Sequence, residues 1–118
     1  MPHYLIQSAY TPEALQALIK NPQNRAEVIR AAVERLGGKL VGSWGTFGDY
    51  DGITIVEVPT SVDAAALALA AAAGGSCKAV KTTALLTTEE MIEAVKKAST
   101  TGYKPVAAAA AAAGSSDK

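Results

Sequence analysis

Apolar and polar positions alternate through residues 3–10, HYLIQSAY, and the segment is rich in residues that favour extended backbone, which predicts a first strand. The period then changes. Thr11-Pro12 predicts a helix N-cap followed by proline in the first turn, where its missing N–H costs nothing, and Leu15, Leu18 and Ile19 fall on one side of the helix. Asn21-Pro22 interrupts that helix, and Asn21 is expected to cap a second helical piece. Val28, Ile29, Ala32, Val33 and Leu36 give this piece its apolar stripe, and Gly37-Gly38 stops it.

Three more extended runs follow. KLVGSWGTF (39–47) reads as a second strand weakened by Gly42 and Gly45, ITIVEV (53–58) as a third, and CKAVKTTALL (77–86) as a fourth. Between the last two, Ser61 is expected to cap a helix that runs to Ala73 and stops at Gly74-Gly75. Thr87 and Glu90 form a capping box, and the helix EEMIEAVKKA places glutamates first and lysines last, matching the helix dipole. The order is β-α-β-β-α-β plus a terminal helix. It predicts an α+β fold of ferredoxin-like type, a four-stranded antiparallel sheet with helices on one face. One domain over residues 1–100 and an alanine-rich, low-complexity tail over 101–118 complete the expected organisation.

Because strand side chains alternate, the two faces of the sheet can be written down. Ile6, Val41, Val56 and Val80 are expected beneath the helices. The other face then carries Leu5, Ile53 and Ile55, with His3, Gln7, Trp44, Glu57 and Lys81 among them. Burying roughly 300–400 Å² of that face at ~25 cal/mol per Å² would yield nearly 10 kcal/mol before the entropy of association. Self-association through this face is therefore expected, as a homodimer or higher homo-oligomer whose paired sheets enclose a semi-polar space.

Composition narrows the function classes. Eleven basic and eleven acidic residues cancel, so no net field draws the chain to nucleic acid or an anionic membrane. Cys77 stands alone, so an intrachain disulfide or a cysteine zinc cluster has no material. His3 is the one histidine, and no metal or cofactor is implied. The start MPHYLIQSAY lacks the pattern of a signal peptide, and AAALALAAAAGG is shorter than the ~20 residues a membrane span needs, so a cytoplasmic protein is expected.

The stretch GTFGDYDG (45–52) groups glycines and aspartates as a ligand loop does, yet a strand follows rather than a helix, and no closing glutamate completes a calcium loop. Asp51-Gly52 and Gly48-Asp49 are hairpin-turn signals, and a hairpin is expected there. The same residues carry a resemblance. Gly48, Asp49, Tyr50 and Asp51, after LGGKL and before ITIVEVP, resemble the signature of the GYD-domain family. YTPE, Arg25, KTTALLT and EEM fall in agreeing places over residues 1–98. That family is similar to the dimeric α+β barrel proteins, which implies a dimer, and it implies no established activity.

Glu57 and Lys81 are charges inside apolar strands, where an unpaired charge is costly. They are candidates for an ion pair at the seam, or for a carboxylate and ammonium lining a pocket. Gln7 adds an amide, Trp44 a stacking wall and His3 an imidazole, while Arg25 and Tyr50 are expected at the mouth. The leading reading is a homo-oligomeric module that binds or senses a small organic ligand between its sheets. A cofactor-independent isomerase or oxygenase with Glu57 as base, and a structural protein-interaction module, are the alternatives.

Overall fold

The structure, a computed structural model, describes residues 1–106. The alanine-rich stretch from residue 107 onward, most of the expected tail, lies outside the described residues. In chain order the elements are β1 (His3–Tyr10), α1 (Pro12–Lys20), α2 (Arg25–Arg35), β2 (Lys39–Gly45), β3 (Gly52–Glu57), α3 (Ser61–Ala73), β4 (Cys77–Leu85) and α4 (Thr88–Ala98). Two compact units divide them, Met1–Leu85 and a second beginning at Leu86. The first unit holds the whole sheet, antiparallel in the order β2-β3-β1-β4. This is the ferredoxin-like arrangement, with β1 and β3 central.

Local chemistry accounts for the helix boundaries. Thr11 accepts from the Ala14 N–H with Pro12 in the first turn of α1, as expected. Two caps differ from expectation. Asn21 closes α1, its N–H donating to the Ala17 carbonyl, and Asn24 caps α2 by accepting from the Ala26 N–H. Proline at residue 22 disfavours helical backbone at Asn21, so the chain needs three more residues before it can turn again. Likewise Thr60, not Ser61, caps α3. Its hydroxyl accepts from the Asp63 N–H while the Asp63 carboxylate accepts from the Thr60 N–H. In the second unit, α4 opens on the Thr87–Glu90 capping box.

The core of the first unit is a cluster of Ile6, Val33, Leu40, Val56, Val58 and Ala64, with Tyr4, Ala26, Ile29, Leu67 and Val80 packed against it. Helices α2 and α3 press on this face of the sheet. Leu40 occupies the place expected for Val41. The register shifts there, Leu40 pairing with Val56 and Gly42 with Ile55, so Val41 is an extra residue and is 47% exposed. A bulge of one residue inverts the parity of everything before it, and the alternation of KLV could not reveal it. A second shift sets Ala9 against Ala79 but Tyr10 against Cys77, and so brings Cys77 to the helix side with Ser8 and Tyr10 rather than to the opposite face.

Gly38 is required by close approach. A Cβ there would overlap the carbonyl oxygen of Glu57 and stand 2.9 Å from Val58 Cγ1 and 3.0 Å from Val33 Cγ1. Backbone and fully buried valines have no room to yield. Gly38→Ala is expected to lower the stability by about 3 kcal/mol, whereas Gly45→Ala, whose Cβ meets nothing within 4 Å, changes it by less than about 0.5 kcal/mol. Urea midpoints of the two variants test the contrast.

Candidate functional site

Strand pairing decides which candidate side chains share a surface. Trp44, Ile53, Gln7 and Lys81 lie side by side across β2, β3, β1 and β4. The next row on the same face is Gly42, Ile55, Leu5 and Thr83, and the third is Lys39, Glu57, His3 and Leu85. All five side chains named from the sequence, His3, Gln7, Trp44, Glu57 and Lys81, therefore stand on the face opposite α2 and α3. Their distribution is uneven. His3 Nε2 lies 3.6 Å from Glu57 Oε2, with side chains 40% and 25% exposed. Glu57 and Lys81 sit at opposite ends of the face, two rows apart, so they do not form the pair considered from the sequence. The Trp44 ring folds back over Gly42, where only the lack of a Cβ admits it.

The helix side holds a second feature, one that strand alternation does not suggest. A cleft of about 500 Å³ opens at the end of the sheet where β2 and β3 run into their connecting loop. Ile6, Ser43, Trp44, Ile53 and Thr54 come from the sheet, Leu18 and Ile29 from α1 and α2, and Arg25 and Asp51 bring charge. Arg25 thus opens onto this cleft. The sequence did carry one signal for it, since a cation in the first turn of a helix stands against the helix dipole.

Asp51 shows how the Gly48–Asp51 stretch is built. Gly48 has a φ of +132°, a conformation that side chains disfavour. The Thr46 hydroxyl donates to the Tyr50 carbonyl at 2.8 Å, and the Thr46 N–H donates to the Asp51 carbonyl at 3.0 Å. The expected hairpin is present. Asp51 does more than turn the chain: its N–H donates to the Ser8 carbonyl and its Oδ2 accepts from the Tyr10 N–H, both at 2.8 Å. β3 pairs with β1 only as far as Ser8, so without this carboxylate the Tyr10 N–H would lose its acceptor on that edge.

A family model described as the GYD domain matches residues 4–95. The chain belongs to the GYD-domain family. A Thermus thermophilus protein named "Glutamine synthetase and cystathionine beta-lyase binding protein" is 31% identical over 70 residues, covering 59% of this chain and 70% of that one. Among solved structures, a crystal structure of an FFRP protein is similar at 15% identity and a TM-score of 0.46, covering 73% of this chain and 100% of the other. Among the described residues of this GYD protein, no group of three or more His, Cys, Asp or Glu is placed to hold a metal ion.

Within the GYD stretch the two aspartates are unequal. Asp51→Ala strips the Tyr10 N–H of a charged acceptor and is expected to cost about 2 kcal/mol. Asp49 is exposed and is expected to tolerate alanine within about 0.5 kcal/mol. Denaturant unfolding of the two variants checks this, and equal losses would show that the stretch acts as a turn alone.

Proposed function

We propose that this GYD protein is a binding module that works as a homo-oligomer, its sheet face opposite α2 and α3 closing on a second copy. The arrangement of that face carries the reading. Leu5 and Ile55 form the middle row, Gln7 and Lys81 flank it at one end, and His3 and Glu57 flank it at the other. A two-fold axis running between stacked sheets, across the strands, exchanges the two ends. The end that holds Lys81 in one copy then meets the end that holds Glu57, with Lys39 beside it, in the other, and the aliphatic rows meet each other. Gln7, Trp44, Glu57, Lys81 and His3 line the space between the sheets, a wall suited to a small organic ligand with hydrogen-bonding groups. No helix among the described residues is long and apolar enough to cross a membrane, which is compatible with a cytoplasmic setting.

The relative's name favours binding over catalysis. It describes a protein that binds two enzymes, and so supports proteins as a partner class beside the second copy. The far face does not supply the pair considered from the sequence: Glu57 is turned to His3 and stands two rows from Lys81, so those two are not set side by side as base and anion-stabilising group.

Native mass spectrometry and sedimentation test the assembly. The wild type is expected as a dimer or larger, and Leu5→Asp, which introduces a charge into the centre of the seam, is expected to weaken association roughly 30-fold or more. Circular dichroism confirms that the variant keeps its fold, because the buried helix-side core is untouched. A wild-type protein that stays a single chain at high concentration, or a Leu5→Asp variant that assembles as well as the wild type, overturns the proposal.

A further inference from the structure

The helix-side cleft has the composition of a small-molecule site, and three observations set the chemistry of its occupant. The first is Arg25. Its guanidinium donates to the neutral Gln23 Oε1 at 3.1 Å, and no carboxylate among the described residues lies within ion-pair distance of it. It is half-buried and borders the main cleft together with two smaller recesses of about 110 and 320 Å³. A cation in the first turn of α2 and partly withdrawn from water is electrostatically unsatisfied on both counts. The second is Thr54, a polar residue only 6% exposed, whose hydroxyl finds no hydrogen-bond partner among the described residues and which lines the same cleft. Buried hydroxyls are ordinarily bonded, so a ligand is the natural partner.

The third is the surrounding wall. Ile6, Leu18 and Ile29 contribute aliphatic side chains from the helix side. An anion with an apolar body fits this lining better than inorganic phosphate does, because phosphate would leave that wall against water. Asp51, also in the lining, accepts from the Tyr10 N–H, and a carboxylate there opposes a second anionic group on the ligand.

We infer that the cleft between β2, β3 and the start of α2 binds a small organic monocarboxylate, with Arg25 receiving the carboxylate and the Thr54 hydroxyl and aliphatic wall receiving the rest. This site lies on the helix side of the sheet and does not depend on self-association through the opposite face.

Three probes of one shape and different charge test it: benzoate, benzamide and benzamidine. Amide chemical shifts of Arg25, Gly45 and Gly52 in ¹⁵N-labelled full chain report occupancy of the cleft. Benzoate is expected to shift them saturably and to bind at least about tenfold more tightly than benzamide, as a charge-assisted bond to a guanidinium implies. Arg25→Gln is expected to bring benzoate down to the level of benzamide, and Arg25→Lys to retain part of the preference. Arg25 lies outside the core cluster, and the variants' undisturbed spectra elsewhere verify folding. No saturable response to benzoate, equal binding of benzoate and benzamide, tighter binding of benzamidine, or an Arg25→Gln variant that keeps the preference each overturns the proposal. The Leu5→Asp variant, titrated in parallel, is expected to bind benzoate like the wild type, which separates failure of this site from failure of the assembly.

Discussion

Strand β3 imposes the constraint from which the rest follows. Val56, and Val58 just beyond the strand, are completely buried and Thr54 nearly so, all directed toward α2 and α3. With a side-chain period of two, that burial obliges Ile53, Ile55 and Glu57 to face the other way. A one-residue slip would place Glu57 in the core and Val56 outside, so the register is held by the hydrophobic energy of the valines themselves. Neighbouring strands inherit the choice through their pairing: Ile55 fixes Leu5 beside it, Ile53 fixes Gln7, and Glu57 fixes His3. The far face is thus a consequence of packing the near one.

Much of this was legible because β1 and β3 alternate cleanly. Both lie in the middle of the sheet and have no choice of face, so writing out odd and even residues was enough. The edge strands were less readable for a definite reason. In β2, Val41 and Leu40 are both good core residues, and only the bulge decides between them. In β4, the shift opposite Tyr10 moved Cys77 to the other side. Edge strands have one partner and tolerate an extra residue that a central strand would not. Helix caps failed in the same local way, by one position at Ser61 and by three at Asn21, since several adjacent polar residues satisfy the same rule.

The helix-side cleft was hidden for another reason. Its walls come from β1, β2, β3, both early helices and the loop before β3, and no periodicity joins Arg25 to Asp51 or Thr54. Only the closed sheet brings them together. What the sequence did contain were local contradictions, an arginine where a helix favours acids and a hydroxyl among the core-facing positions of β3. Such conflicts between local preference and position tend to mark functional places.

Trp44 stands at the edge of the far face. It pairs with Ile53 in the far-face row that also holds Gln7 and Lys81, and both residues border the cleft on the other side. Gly42 lets the Trp44 ring lie flat against the strand, and any side chain at residue 42 would push the indole outward. The placement of that one ring therefore bears on the flatness of the surface offered to a second copy. The evenness of that surface at its edge rests on a single strand pair, β2 with β3, and on the glycine that makes room there.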